Sequence, residues 1–257
     1  MQRPRAASSE TLTSAPSAMS RTRLFLAALA VLSLSAFALP DYAVASFSNM
    51  TPGGSINGWT SLNLGNAPAS RYTLVRDGGR TVVRGQANGS ASGLVRRFDI
   101  DPNRYSTLSW RWKADNVISG GNIRSRGGDD YPARIYVLFD YDPADLSFGD
   151  RVKYRALRAL GYDEIPVRAI SYVWANRASE TQPVSNAYTD WVHMIPVESG
   201  SARVGTWQSE RRNVAADYRE AFGEDPPNIA GVAVMTDADN TGGSATGYFG
   251  DIRLSTR

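Results

Sequence analysis

The sequence predicts an all-β protein, an antiparallel two-sheet, jelly-roll-like sandwich with two short inserted helices. Three observations predict it. After residue 46 the chain is a succession of short runs in which apolar and polar residues alternate, the period-two signature of a half-buried strand. Turn signals such as Asp77-Gly78-Gly79, Gly120-Gly121-Asn122 and Gly127-Gly128-Asp129 separate these runs. Only two stretches have helical spacing, too few to cover a parallel sheet of βαβ units.

Residues 108–114 show the alternation best. Leu108, Trp110, Trp112 and Ala114 fall on one face, while Ser109, Arg111 and Lys113 fall on the other. Similar runs cover residues 72–75, 81–86, 93–100, 134–139, 169–174, 191–197, 231–236 and 248–254, which makes about nine strands. The first helix is expected over 151–160, with Asp150 as its N-cap, a stripe of Val152, Ala156 and Leu160, and Gly161 at its end. The second is expected over 214–222, where Val214, Tyr218, Ala221 and Phe222 share a face and Gly223 to Pro227 stop it. Residues 46–69 read as a looser arm.

Ahead of the sandwich, Arg21 and Arg23 precede an apolar run from Leu24 to Leu32, and Ala43-Val44-Ala45 offers a small-x-small cleavage site. This is the pattern of a signal peptide. Ser33, Ser35 and Pro40 break the run before it reaches the roughly 20 residues of a spanning helix. The expected organisation is a leader with upstream residues over 1–45 and a single sandwich domain over 46–257. The expected location is periplasmic or secreted, with no stable membrane span after cleavage.

Taking Arg3, Arg5, Arg21, Arg23, Glu10 and Asp41 away with the leader leaves 24 basic and 23 acidic side chains. The balance is close to even and suggests no nucleic-acid partner. The absence of Cys excludes a disulfide scaffold and thiolate metal sites, and His193 is the sole imidazole. Chemistry in this chain would rest on carboxylates, Tyr or Arg. His193 shares the parity of Trp191 and Ile195 and reads as a half-buried structural residue.

Two clusters could bind something. Asp237, Asp239 and Thr241, followed by Gly242, match the first, third, fifth and sixth places of a calcium loop. The twelfth place is Tyr248 rather than Glu, and Asp251 on the last strand could supply the returning carboxylate. The same residues also suit a turn in which Asp and Asn side chains bond their own backbone. In the second cluster, Asp129 and Asp130 stand at the mouth of a strand carrying Arg134 and Tyr136. With Arg111 they form either an Arg–Asp network across strands or a site for a polar ligand. Most of the six tryptophans belong to the core, and Trp174, at the end of its run, is the candidate for exposure and stacking.

Taken together, Trp110-Arg111-Trp112, the run from Asp129 to Tyr136, Tyr172-Val173-Trp174, the run from Asp217 to Gly223, the run from Met235 to Thr241 and the run from Tyr248 to Ile252 resemble one family. It is the bacterial exported family of unknown function numbered three thousand and forty-seven. The resemblance covers about Trp59 to Leu254 and implies no particular activity. The closing strand is also similar to the last strand of jelly-roll carbohydrate-binding modules.

The leading expectation is a module that binds a glycan or another polar cell-envelope component through Arg111, Asp129, Asp130, Arg134, Tyr136 and Trp174. Calcium is the one cofactor suggested, at Asp237, Asp239, Thr241 and Asp251. Two alternatives stand beside it. One is a polysaccharide-acting enzyme with Asp130 and Asp239 as its carboxylate pair; the other is a structural envelope protein.

Overall fold

The computed structural model describes residues 40–65, 67–159 and 167–256, which fold as two packed β-sheets with two α-helices at their margins. One sheet contains β1 (Tyr42–Ala45), β3 (Arg71–Asp77), β4 (Arg80–Asn88), β6 (Thr107–Ala114), β11 (Gln208–Asn213) and β13 (Ser244–Ser255). Its order is β11-β6-β13-β4-β3, and β1 pairs with the later half of β13, beyond the part that pairs with β4. The other sheet contains β2 (Thr60–Asn63), β5 (Ala91–Ile100), β7 (Tyr131–Phe139), β8 (Ala169–Ala175), β9 (Val184–Ser185), β10 (Val192–Ser199) and β12 (Ile229–Asp237), in the order β2-β5-β12-β7-β8-β10-β9. The two-sheet sandwich is therefore as expected, and all nine expected strands are present. Pairing is antiparallel except between β8 and β10, which run parallel.

Four strands go beyond the expectation. β1 lies inside the segment assigned to the leader; its Val44 and Ala45 are buried in the core, and a cut at Ser46 would remove it. β2 falls in the supposed arm, and β9 is only two residues long. β11, Gln-Ser-Glu-Arg-Arg-Asn, has no apolar residue and is a strand because β6 offers it a ladder from Trp112 to Thr107.

Helix α1 (Phe148–Ala159) starts earlier than expected. Asp150 sits inside its first turn, and Ser147 is the cap: its Oγ accepts from the Asp150 N–H at 3.1 Å and donates to the Asp150 carboxylate at 2.7 Å. Leu160 and Gly161 lie outside the described residues. Helix α2 (Val214–Phe222) matches its expected span. The Asn213 side chain accepts from the Ala216 N–H at 2.9 Å, and Gly223 closes the helix in the left-handed region at φ 72°. No helix of the described residues is long and apolar enough to cross a membrane.

The core is an aromatic stack between the inner faces. Trp110 stacks on Tyr172 at 5.1 Å, and Trp112 meets Trp174 at 6.0 Å. Each such ring removes about 150–250 Å² from water, worth about 4–6 kcal/mol at 25 cal/mol per Å². At one end the two sheets approach much more closely. Gly85 of β4 and Gly247 of β13 are register partners, and together they form a notch. A Cβ on Gly85 would stand 2.6 Å from Thr236 Oγ1, and one on Gly247 would fall on the Pro132 carbonyl oxygen.

Into that notch fits a bulge of β12. Register slips between Met235 and Asp237, and the Thr236 N–H donates to Tyr72 Oη at 2.9 Å. The Ser70 hydroxyl donates to the Thr236 carbonyl at 2.8 Å, and Thr236 Oγ1 donates to the Pro132 carbonyl at 3.0 Å. Because the nearest neighbour of Gly247 is the Pro132 backbone, it cannot swing aside. Gly247→Ala should cost about 1–3 kcal/mol by overpacking, measured as a lower denaturation midpoint in urea at unchanged m-value.

Candidate functional site

The β12 bulge directs the chain beyond it. Thr236 occupies the notch between the sheets, and Asp237 ends the strand opposite Tyr131 of β7. The turn after β12 then carries Asp239, Asn240 and Thr241 back over the end of β7, where Asp130 receives it. Asp130 Oδ1 accepts from the Asn240 N–H at 3.1 Å and from its side-chain amide at 3.2 Å, and Oδ2 accepts from the Thr241 N–H at 2.7 Å. Asp130 is in turn held from behind. Asn176, just past β8, donates to its carbonyl at 2.6 Å and accepts from the Ile118 N–H at 2.7 Å. Gly121 leaves the room, since a Cβ there would overlap the Asn176 amide.

One oxygen from each of Asp130, Asp237 and Asp239 falls within 4.8 Å of the other two. Asp130 and Asp237 are fully buried, whereas Asp239 is exposed. Arg134 lies beside them, buried, with its Nη2 on Asp237 Oδ2, its Nη1 at 3.5 Å from Asp129 Oδ1, and its guanidinium over the rings of Tyr131 and Tyr136 at 4.8 and 5.6 Å. Burial holds the Asp237 carboxyl well above the usual carboxylate range against the pull of Arg134, and Asp129, Asp130 and Asp239 add repulsion. Burial, opposed by Arg134, also raises Asp129; burial and then Asp130 raise Asp239. Tyr136 is pushed up to about 12 by the same loss of solvent.

A second layer roofs this ground. Asn186, between β9 and β10, donates to Asp129 Oδ2 at 2.9 Å. The Tyr188 hydroxyl donates to Asn240 Oδ1 at 2.5 Å and lies 3.1 Å from the Arg126 carbonyl. No local sequence pattern marks Asn176, Asn186 or Tyr188.

Several expected site residues are elsewhere. Arg111 projects from β6 in the other sheet and stacks on Trp207 at 4.4 Å, beside the Lys113–Asp77 ion pair, so it joins no cluster with Asp129. Trp174 is not exposed: it has no accessible surface and donates from Nε1 to the Gly200 carbonyl at 3.0 Å. Asp251 anchors the turn after β1 by accepting from the Ser48 N–H at 2.9 Å and hydroxyl at 2.6 Å, and it is not among the three clustered carboxylates. The Thr241 side chain accepts from the Gly243 N–H at 3.2 Å, closing its own turn. Asp129, Arg134 and Tyr136 are together, as expected.

Sequence reasoning left one further feature unread. A cleft of about 550 Å³ opens at the β2 edge of the sandwich, with Asn57, Ser61 and Asn63 on its exposed rim and Trp59, Ser70 and Ser92 deeper. Tyr72 also lines it, with its hydroxyl on the Ser92 carbonyl at 2.5 Å, and no charged residue does. Trp59 Nε1 is buried without a hydrogen-bond partner. Another cleft, of about 610 Å³, lies beside it and includes Arg71.

These features define a two-sheet β-sandwich with polar sites gathered where β12 leaves its sheet. The chain belongs to the DUF3047 family of proteins of unknown function, whose match runs over residues 57–253. No curated protein matches it in sequence. Among solved structures it is similar to the glycoside hydrolase domain of Endo-D from Streptococcus pneumoniae R6, at 10% identity over 77% of this chain and 21% of that one, with a TM-score of 0.32. It is also similar to the enzymatically active domain of tailspike protein 4 from bacteriophage CBA120, at 12% identity over 82% and 21%, with a TM-score of 0.30. The chain spans about a fifth of the length of either.

His193 is half-buried, with its ring at 4.9 Å from Phe222 and Nε2 at 3.5 Å from the Ser185 hydroxyl. Burial lowers its pKa, Asp190 opposes that shift and Arg168 adds to it. A depressed imidazole favours the neutral form in the fold, so the unfolded chain binds the proton first and stability falls as pH drops below about 6.5. Because this is the only histidine, its Hε1 proton resonance should titrate alone, with a midpoint below 6.5. His193→Gln should lose less stability than the parent between pH 7 and 5.

Proposed function

We propose that this protein is an exported binding module for a neutral, hydroxyl-rich ligand of the glycan class, seated in the cleft at the β2 edge. The observation that carries the reading is the chemistry of that cleft. Amide and hydroxyl groups of Asn57, Ser61, Asn63, Ser70 and Ser92 line it beside an indole whose N–H has no acceptor, and no charged side chain enters. Neutral donors and acceptors of this kind suit ligand hydroxyl groups, which need hydrogen-bond partners but no counter-charge. An anionic ligand would find no counter-charge. Arg134, Asp129 and Tyr136 support the fold around the β12 bulge in this reading, because Arg134 is closed off by its aromatic and carboxylate neighbours.

An enzymatic role for Asp130 and Asp239 draws less support. Asp130 has no accessible surface, and both its oxygens accept from the β12–β13 turn, so it has no path to a glycosidic oxygen.

On an array of neutral and uronic-acid glycans, binding should be confined to the neutral ones. The double variant Asn57→Ala/Asn63→Ala alters only the exposed rim, and it should weaken binding at least tenfold at unchanged Tm. Binding restricted to uronates, or unchanged in that variant, would remove the cleft as the site. The export reading makes a separate prediction. Ala36-Phe37-Ala38 is a small-x-small site upstream of β1, and cleavage there would spare the strand. The intact mass of the exported protein should correspond to a start at Leu39; a start at Ser46 would mean that the mature fold dispenses with β1.

A further inference from the structure

We infer that Asp130, Asp237 and Asp239 form a binding site for one divalent cation, with calcium the ion that fits. The inference is independent of the glycan reading and concerns the other face of β12. Three observations converge on it. One carboxylate oxygen from each residue already lies within 4.8 Å of the others, although the residues come from the segment leading into β7, the end of β12 and the turn after it. Asp237 is wholly buried, one of its oxygens belongs to that trio, and its Oδ1 has no hydrogen-bond partner while Arg134 engages only Oδ2. A buried carboxyl with one oxygen lacking a donor, beside two further carboxylates, is a position that a cation completes.

The charge count points the same way. Asp129, Asp130, Asp237 and Asp239 face the guanidinium of Arg134, and among the described residues no ion pair engages Asp130 or Asp239. Two positive charges offset most of that excess. Asp130 can take part without giving up the turn, since Oδ2 accepts a single N–H and keeps a lone pair.

The donor set and its spacing select the ion. All three ligands are hard oxygens, which suit calcium or magnesium rather than a softer metal. Calcium binds oxygen at about 2.3–2.6 Å, so ligands across it are separated by up to about 5 Å, and the observed limit of 4.8 Å needs no contraction. Magnesium, at about 2.0–2.1 Å, demands a near-ideal octahedron and gives up its waters reluctantly, which suits three carboxylates of mixed burial less well. Exposed Asp239 leaves a side open through which the ion enters and retains water.

The test uses the full folded chain stripped with EDTA and dialysed. Calcium chloride followed by calorimetry should give one saturable site, and Tm should rise by roughly 5–10 °C at a hundredfold excess over Kd. Terbium should bind with luminescence sensitised by nearby Tyr and Trp, and calcium should compete it away. Asp239→Asn alters an exposed ligand and should fold, and it should weaken calcium at least tenfold. Magnesium should shift Tm less; a larger shift with magnesium would overturn the choice of ion. Neither heat nor a Tm change with calcium, or equal affinity in Asp239→Asn, would overturn the site. None of these readouts involves a glycan, so loss of the cleft proposal would leave this result standing.

Discussion

The rest of the structure depends on the contact in which Thr236 and Pro132 of one sheet enter the notch made by Gly85 and Gly247 of the other. Elsewhere the inner faces are held apart by tryptophan and tyrosine rings, as in ordinary sandwiches. Here two residues without side chains are register partners, and backbone meets backbone. The approach forces β12 out of its ladder for one residue, and Tyr72 and Ser70 take over the bonds that the strand gives up. Without the bulge, Asp237 would continue the alternation of a regular strand, and the turn after it would not reach Asp130.

This places the two proposed sites back to back. Thr236 is tied to Tyr72 and Ser70, which line the neutral cleft, and the next residue belongs to the acidic trio. Thr236 thus joins the cleft walls Tyr72 and Ser70 to the acidic trio through one peptide bond. The electrostatic contrast is one of composition: carboxylates gather on the acidic side, with Asn186 on Asp129 and Tyr188 on Asn240, while the cleft side is lined only by neutral groups.

Much of this was legible from residue order, and the parts that were not have identifiable causes. Alternation and short apolar runs between turn signals marked all nine of the expected strands, although β7, β8 and β12 are buried on both faces. They could not mark β11, whose six polar residues pair at an edge, nor β1, whose small residues also satisfy the pattern of a cleavage site. Alternation carries no direction, so the parallel pairing of β8 with β10 was invisible. At the acidic turn, local spacing found Asp237 and Asp239. It then looked further along the same chain, to Thr241 and Asp251, whereas the carboxylate that clusters with Asp237 and Asp239 is Asp130, more than a hundred residues earlier. That adjacency arises from β7 lying beside β12, a fact of sheet order. Arg111 and Trp174 were misplaced for related reasons: parity says that a residue faces outward or inward, but not which sheet it stands on or whether a strand end is covered.

β13 comes after every other strand in the chain, yet it is the middle of its sheet, with β6 along one side and β4 and β1 sharing the other. During synthesis the neighbours of that strand wait with unpaired edges, and the glycine notch lacks one of its two glycines until Gly247 emerges. Half the sandwich can then form only after nearly all of these residues are made, through contacts that join the two extremes of the domain. Such long-range closure is slow. It leaves facing edges of β4 and β6 without their partner until β13 is made, while the other sheet needs no residue of β13 to pair.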